Sequence, residues 1–166
     1  MVVGQVGEYA VCAALGKRGL IATPFAGNVP GFDVLVVDDQ LNCLPIQVKT
    51  SSGSQWITGS LRKYVNVTHE GKKIVLGEAI SPKHPRLIRV YVSLGKDGKA
   101  DRFFVMTEQE FFDAVNVYFR IWIESTGGIR PRKPGSLHTV IKLDVFEAFE
   151  DRWELVDQQL EALRHP

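Results

Sequence analysis

The apolar and polar positions of the chain fall into short runs that predict a mixed α/β domain. The runs richest in Val, Ile, Leu and aromatic residues, which predict strands, are 20–25, 32–37, 43–50, 87–94, 102–106 and 138–143. The polar segment 38–42 and the Asp97-Gly98 pair are turn signals between neighbouring runs. The second and third runs should therefore form one hairpin, and the fourth and fifth another.

Three segments have the pattern of helices. Residues 4–18 precede Gly19, a typical helix stop, and carry Glu8 in a stripe with Val11 and Leu15. Thr107 and Glu110 have the spacing of a capping box that opens a helix over 108–124. An acidic helix over about 146–163 closes the chain, and its apolar residues should pack on the core or on a second subunit. The segment 56–80 has no clear periodicity.

Composition favours one soluble domain over the whole chain, 1–166. The chain has 166 residues, 45% of them hydrophobic and 23% charged, which is enough for a core without disulfides or metals. Two cysteines, Cys12 and Cys43, do not make a disulfide framework and favour a reducing, cytoplasmic setting. No apolar run approaches the roughly 18 residues of a membrane helix, so we expect no membrane partner.

The near-neutral net charge of +1 conceals an uneven distribution. Residues 40–106 hold eleven basic and four acidic side chains, whereas residues 107–166 hold seven basic and eleven acidic ones. The total therefore does not exclude a nucleic-acid partner, because a basic middle segment is offset by an acidic tail.

Strand parity predicts a polar cluster in the first hairpin. If Asp33 pairs with Gln47, the turn centres on Gln40, and Asp33, Gln47 and Lys49 share one face. The opposite face then carries the apolar side chains that pack into the core, namely Phe32, Val34, Ile46 and Val48. An acid, an amide and a lysine beside a helical Glu8 are groups that suit hydrolysis of a phosphodiester with a divalent cation.

These residues resemble a known motif. Gly31-Phe32-Asp33, followed after thirteen residues by Gln47-Val48-Lys49, is similar to the PD-(D/E)xK motif of the restriction-endonuclease-like nuclease superfamily. Gly7-Glu8 on the first helix, and the order helix, strand, strand, strand, resemble archaeal-type Holliday junction resolvases over residues 4–52. The C-terminal half is similar to small bacterial members. The resemblance implies an α/β fold, with a helix, a three-stranded mixed or antiparallel meander and further strands, flanked by helices.

The resemblance also implies a site and a reaction. It assigns Asp33, Glu8, Gln47 and the Val48 carbonyl to a Mg²⁺ ion, with Mn²⁺ as an alternative, and Lys49 to the attacking water. The implied activity is that of an endonuclease that hydrolyses DNA. Two departures from the family pattern stand out. Pro30 lies three positions before Asp33 instead of adjoining it, and Gln47 replaces an acid, which should weaken cation binding.

A second set of residues is expected to grip the phosphate backbone of a nucleic acid. Its members are Arg62, Lys63, Lys72, Lys73, Arg130, Arg132 and Lys133, with Lys83, Arg86 and Arg89 as further candidates. Solvated surface charges explain the same residues equally well. Two other functions remain open: an inactive nuclease-fold module that binds nucleic acid or protein, and a subunit of a defence or mobile-element system that docks through its acidic tail. Related nucleases often act as homodimers, but the sequence does not determine the substrate form or the oligomeric state.

Overall fold

The computed structural model describes residues 2–25 and 30–164. The helices are α1 (Val2–Gly16), α2 (Glu108–Ser125) and α3 (Glu154–Arg164), and two 3-10 segments span Leu61–Lys63 and Leu143–Phe149. The strands are β1 (Ile21–Pro24), β2 (Val34–Val37), β3 (Cys43–Ser51), β4 (Gln55–Ser60), β5 (Val65–Glu70), β6 (Lys73–Ala79), β7 (Ile88–Ser93), β8 (Arg102–Thr107) and β9 (His138–Lys142). Residues 26–29, within the predicted motif segment 4–52, lie outside the described residues.

The central sheet has five strands in the order β1-β2-β3-β7-β8. Adjacent strands in this sheet are antiparallel, except for β3 and β7, which are parallel to one another. In the β2–β3 hairpin Val34 pairs with Ile46, which is the register that parity predicted. The β7–β8 hairpin, and the capping box between Thr107 and Glu110 at the start of α2, are also confirmed.

The two faces of this sheet bury separate hydrophobic clusters. Val11 and Leu15 of α1 and Leu160 of α3 pack against the even-numbered side chains of β2 and β3, including Ile46. The other face packs against α2, the two small sheets β4–β9 and β5–β6, and an aromatic cluster around Phe146. The sheet therefore holds Gln47 and Lys49 on the face opposite α1 and α3.

The predicted start of the closing helix is wrong. Residues 143–149 form a 3-10 segment, the backbone breaks at Asp151 with φ of 52°, and α3 begins only at Glu154. Arg102 explains the break, because it donates two hydrogen bonds of 2.6 Å to the carboxylate of Glu150 and ties this stretch to β8. The carboxyl end of α3 reaches the turn between β2 and β3, where Arg164 contacts Asp38.

The loosely assigned segment 56–80 forms most of three strands. Gly71 lies at the turn between β5 and β6, with φ of 61°, and Val65 and Val67 alternate into the core. Alternating Val residues before a Gly turn were thus an available signal for a hairpin.

Cys12 and Cys43 are both free thiols. Among the described helices, none is long and apolar enough to cross a membrane.

Candidate functional site

Asp33 lies immediately before β2, where its carboxylate takes the place of a main-chain acceptor. Its N–H donates to the Ile46 carbonyl over 2.9 Å, and its Oδ2 accepts the Val48 N–H over 2.7 Å. Lys49 Nζ lies 3.9 Å from the same Oδ2. Among the described residues Oδ1 accepts no hydrogen bond, so one oxygen of a fixed carboxylate remains available to a ligand.

Glu8, on α1, lies within electrostatic range of this carboxylate. Burial raises the pKa of Glu8, Asp33 raises it further by charge repulsion, and Lys49 lowers it by attraction. The side chains of Glu8, Asp33 and Lys49 are therefore close enough to interact electrostatically. Two carboxylates that repel one another in this way, one of them partly desolvated, form an arrangement that a divalent cation stabilises.

The position of Glu8 depends on the residue before it. Gly7 is buried against β3, and a Cβ atom at this position would overlap Thr50 Oγ1 and lie 2.8 Å from Thr50 Cβ and Cγ2. Carbon atoms pack at about 3.5–4.0 Å, so only glycine allows α1 to approach β3 this closely. The close approach brings the helical Glu8 to the strand that carries Lys49.

Gln47 shares its face of β3 with Lys49, two residues further along the strand. Gln47 Oε1 is buried and has no partner among the described residues. A buried carbonyl oxygen with both lone pairs unused is uncommon in folded proteins and requires an explanation. Coordination of a cation is one way to satisfy this atom.

The Val48 carbonyl faces the same edge as Asp33. Within a strand, the N–H and C=O of one residue point to the same side, and the Val48 N–H points to Asp33. β2 begins at Val34, so it provides no strand residue opposite this part of β3. The carbonyl therefore points to the side of β3 on which Asp33 lies.

The residues fit a hard divalent cation. Their donor atoms are all oxygens, from two carboxylates, one orphaned amide and one main-chain carbonyl, which is the set that Mg²⁺ prefers. In residues 2–25 and 30–164 no three His, Cys, Asp or Glu side chains converge on a metal position, and the candidate set has an amide, Gln47, besides its two carboxylates. The site thus carries one negative charge fewer than a three-acid site.

The residues predicted to bind phosphate lie around the two small sheets, β4–β9 and β5–β6. Arg62, Lys63, Lys72, Lys73, Arg132 and Lys133 are exposed. Lys73 lies against Gly128, so the turn between β5 and β6 adjoins the loop that carries Arg132 and Lys133. Arg130 differs from the others, since its guanidinium stacks 4.8 Å from the Trp122 ring and burial lowers its pKa.

Sequence reasoning missed one buried charged pair beside the site. Arg89 and Glu108 are joined by a hydrogen bond of 2.7 Å, and their side chains are only 14% and 12% exposed. The sequence interpretation placed Arg89 among surface residues that follow a phosphate backbone, which its burial contradicts. A single arginine inside the apolar run 87–94 was the available signal that this residue has a buried partner.

Comparisons with known proteins identify the fold. The chain matches no protein-family model and no curated protein sequence. It is similar to the solved structure of a bacterial homing endonuclease, I-Ssp6803I, with a TM-score of 0.54 and 17% identity over 99% of this chain and 97% of that one. A Holliday junction resolvase, Hjc of Archaeoglobus fulgidus, aligns at 14% identity over 87% of this chain and 93% of that one, with a TM-score of 0.39.

The likeness to the homing endonuclease defines the class of fold. It extends over nearly the full length of both chains, and it includes the helix and hairpin that carry Glu8, Asp33 and Lys49. The chain has the mixed α/β fold of this nuclease, and the restriction-endonuclease-like fold that the motif resemblance implies is confirmed.

Proposed function

We propose that this protein is a Mg²⁺-dependent endonuclease that hydrolyses phosphodiester bonds in DNA. The observation that carries the proposal is the proximity of Glu8, Asp33 and Lys49, together with the unsatisfied carbonyl oxygen of Gln47 on the strand that carries Lys49. Asp33, just before β2, and Gln47 and Lys49, on β3, match the motif positions of the nuclease superfamily. The fold that positions them is that of a homing endonuclease.

In this proposal Glu8, Asp33, Gln47 and the Val48 carbonyl hold the cation. When bound, Mg²⁺ supplies a Lewis acid for the phosphate and lowers the pKa of a coordinated water. Asp33 holds its orientation through the Val48 N–H, and this fixed geometry needs no rearrangement when substrate arrives. Lys49, whose side chain is 48% exposed, orients the attacking water and stabilises the negative charge that develops on the phosphate.

The basic residues around the two small sheets supply a surface for the DNA backbone. Lys63, Lys72, Lys73, Arg132 and Lys133 are exposed, so their side chains are accessible to phosphate groups. Such contacts position a duplex without reading its sequence. Assembly as a homodimer and a cytoplasmic location remain predictions of the sequence.

The test is cleavage of duplex, branched and single-stranded DNA with and without Mg²⁺. Asp33→Asn and Lys49→Ala should each reduce the cleavage rate by at least about a hundredfold while DNA binding changes little. Lys17→Ala and Asp157→Asn are matched controls, since both residues are exposed and Lys17 lies beyond the end of α1, near the opposite end of the hairpin. Both controls should cleave at the wild-type rate.

Two outcomes would reject the assignment. Full cleavage by Asp33→Asn and Lys49→Ala would show that any nuclease activity resides elsewhere. DNA binding without cleavage by the wild-type protein, in Mg²⁺ and in Mn²⁺, would favour the inactive nuclease-fold module instead. The replacement of an acid by Gln47 is the observation that favours this second function, because it removes one negative charge from the site.

A further inference from the structure

Gln47 and Arg89 face one another on neighbouring strands, and each has an unsatisfied atom. They are paired residues in the parallel register of β3 and β7, so both side chains project from the same face of the sheet. Gln47 Oε1, an acceptor, and Arg89 Nε, a donor, are buried and have no hydrogen-bond partner among the described residues. The two orphaned groups are therefore complementary neighbours.

The guanidinium of Arg89 contacts two residues of α2. Its Nη2 donates to Glu108 Oε1 over 2.7 Å, and its Cζ lies 4.8 Å from the centre of the Phe111 ring. Glu108 is the first residue of α2 and is fixed by the capped start of that helix. The direction of the Nε–H bond is thus set by the packing of α2 on β7.

A hydrogen bond between Arg89 and Gln47 would remove the desolvation cost that each unpaired group has alone. A buried donor or acceptor without a partner loses its bonds to water and gains nothing in return. A hydrogen bond from Arg89 Nε–H to Gln47 Oε1, direct or through one water, satisfies both atoms. It still leaves the amide oxygen a second lone pair, which a cation can use.

We propose that Arg89 is a positioning residue, which holds the Gln47 carbonyl in the orientation that binds the cation beside Asp33. This inference rests on the proposed nuclease function. Glu108 has a second part in the arrangement, because it neutralises the positive charge of Arg89 that would otherwise repel the metal ion.

The same arrangement gives a reason for an amide at position 47. Arg89 and Glu108 already form a neutral, buried pair. A carboxylate at position 47 would compete with Glu108 for one guanidinium and leave a second buried negative charge when no metal is bound. Gln47 keeps the metal-free protein free of this excess charge and still provides an oxygen ligand.

The first test measures coupling in the metal-free protein. Gln47→Glu and Glu108→Gln are made separately and together, and urea unfolding midpoints are compared in EDTA. We expect Gln47→Glu to cost less stability in the Glu108→Gln background than in the wild type, because one of two competing carboxylates is gone. Strictly additive effects would overturn the contact between position 47 and the pair.

The second test separates orientation from charge. Arg89→Lys keeps the positive charge beside Glu108 but has no Nε–H to orient the amide. Calorimetric titration with MnCl₂ should show a Kd about tenfold weaker than that of the wild type, as is typical when a residue that orients a metal ligand is changed. Arg102→Lys is the matched control, because Arg102 also pairs with a carboxylate, that of Glu150, and stacks on an aromatic ring.

The outcomes distinguish this inference from the function on which it rests. Wild-type Kd values in Arg89→Lys, with Mn²⁺ binding and DNA cleavage intact, would overturn the role of Arg89 alone. A wild-type protein that binds no Mn²⁺ and cleaves no DNA would overturn the proposed function and this role together. A weakened Kd in Arg89→Lys but not in Arg102→Lys, with coupling between positions 47 and 108, supports the inference.

Discussion

Replacement of Gly7 by alanine tests the contact that brings Glu8 to the site. In a helix interior this substitution normally stabilises a protein by roughly 0.5–1 kcal/mol, because alanine has the higher helix propensity. Here the new Cβ would lie 2.8 Å from Thr50 Cβ and Cγ2, about 0.7 Å or more inside the usual carbon–carbon contact distance. Either α1 must retreat from β3 or the strand must distort.

The expected magnitude follows from these opposing effects. Overpacking of a well-packed contact costs typically 1–3 kcal/mol, which exceeds the gain in helix propensity. We therefore expect Gly7→Ala to lower the free energy of unfolding by about 1–2 kcal/mol, or the Tm by about 2–8 °C for a chain of this length. A displacement of α1 also moves Glu8, so cleavage should fall by about tenfold to a hundredfold.

Urea unfolding and Mg²⁺-dependent cleavage measure the two effects. Gly4→Ala is the matched control, because it lies on the same helix and a Cβ at that position would meet nothing within 4 Å. It should be neutral or slightly stabilising and cleave normally. Adding Thr50→Ala to Gly7→Ala removes two of the three clashing atoms and should restore part of the stability. A Gly7→Ala variant as stable as Gly4→Ala would refute the close approach of α1 to β3.

Three further predictions concern the elements around the site. Thr107→Ala removes the hydroxyl that accepts the Glu110 N–H and should cost about 1 kcal/mol in urea unfolding, whereas Thr107→Ser should cost much less. Phe146→Ala empties a fully buried position and should cost about 3–5 kcal/mol, with Phe146→Leu as the milder comparison. Burial alone would raise the pKa of Asp38, but hydrogen bonds from Asn42 and other donors lower it to about 2. Because the folded-state pKa is the lower one, Asp38 should stabilise the fold above about pH 4, and this contribution should disappear as the pH falls towards 2. Unfolding curves of Asp38→Asn should therefore differ from those of the wild type at pH 7 and converge with them near pH 2; a constant difference would contradict the pKa shift.

Local patterns were sufficient where a structure depends on neighbours in sequence. The β2–β3 register follows from strand alternation and from a five-residue polar turn, so Val34 could be placed opposite Ile46 without any knowledge of the fold. The capped start of α2 follows equally from two residues three positions apart. Both predictions rest on interactions that the chain makes with its own near neighbours.

Predictions failed where a distant contact overrides local preference. The residues around Glu150 have the composition of a helix, but the bidentate hydrogen bonds with Arg102 hold them in a different conformation. The pairing of Gln47 with Arg89 joins residues far apart in the chain, and no local sequence pattern predicts that β3 and β7 are parallel neighbours.

The sequence by itself determined the polar cluster within one hairpin, because side chains alternate along a strand and a tight turn fixes which residues face one another. Only the tertiary structure decided which groups join that cluster. Glu8 lies near the cluster because glycine at position 7 lets α1 pack closely against β3. Arg89 lies near it because β7 pairs with β3. Both depend on packing between elements separated in the chain, which residue periodicity does not encode.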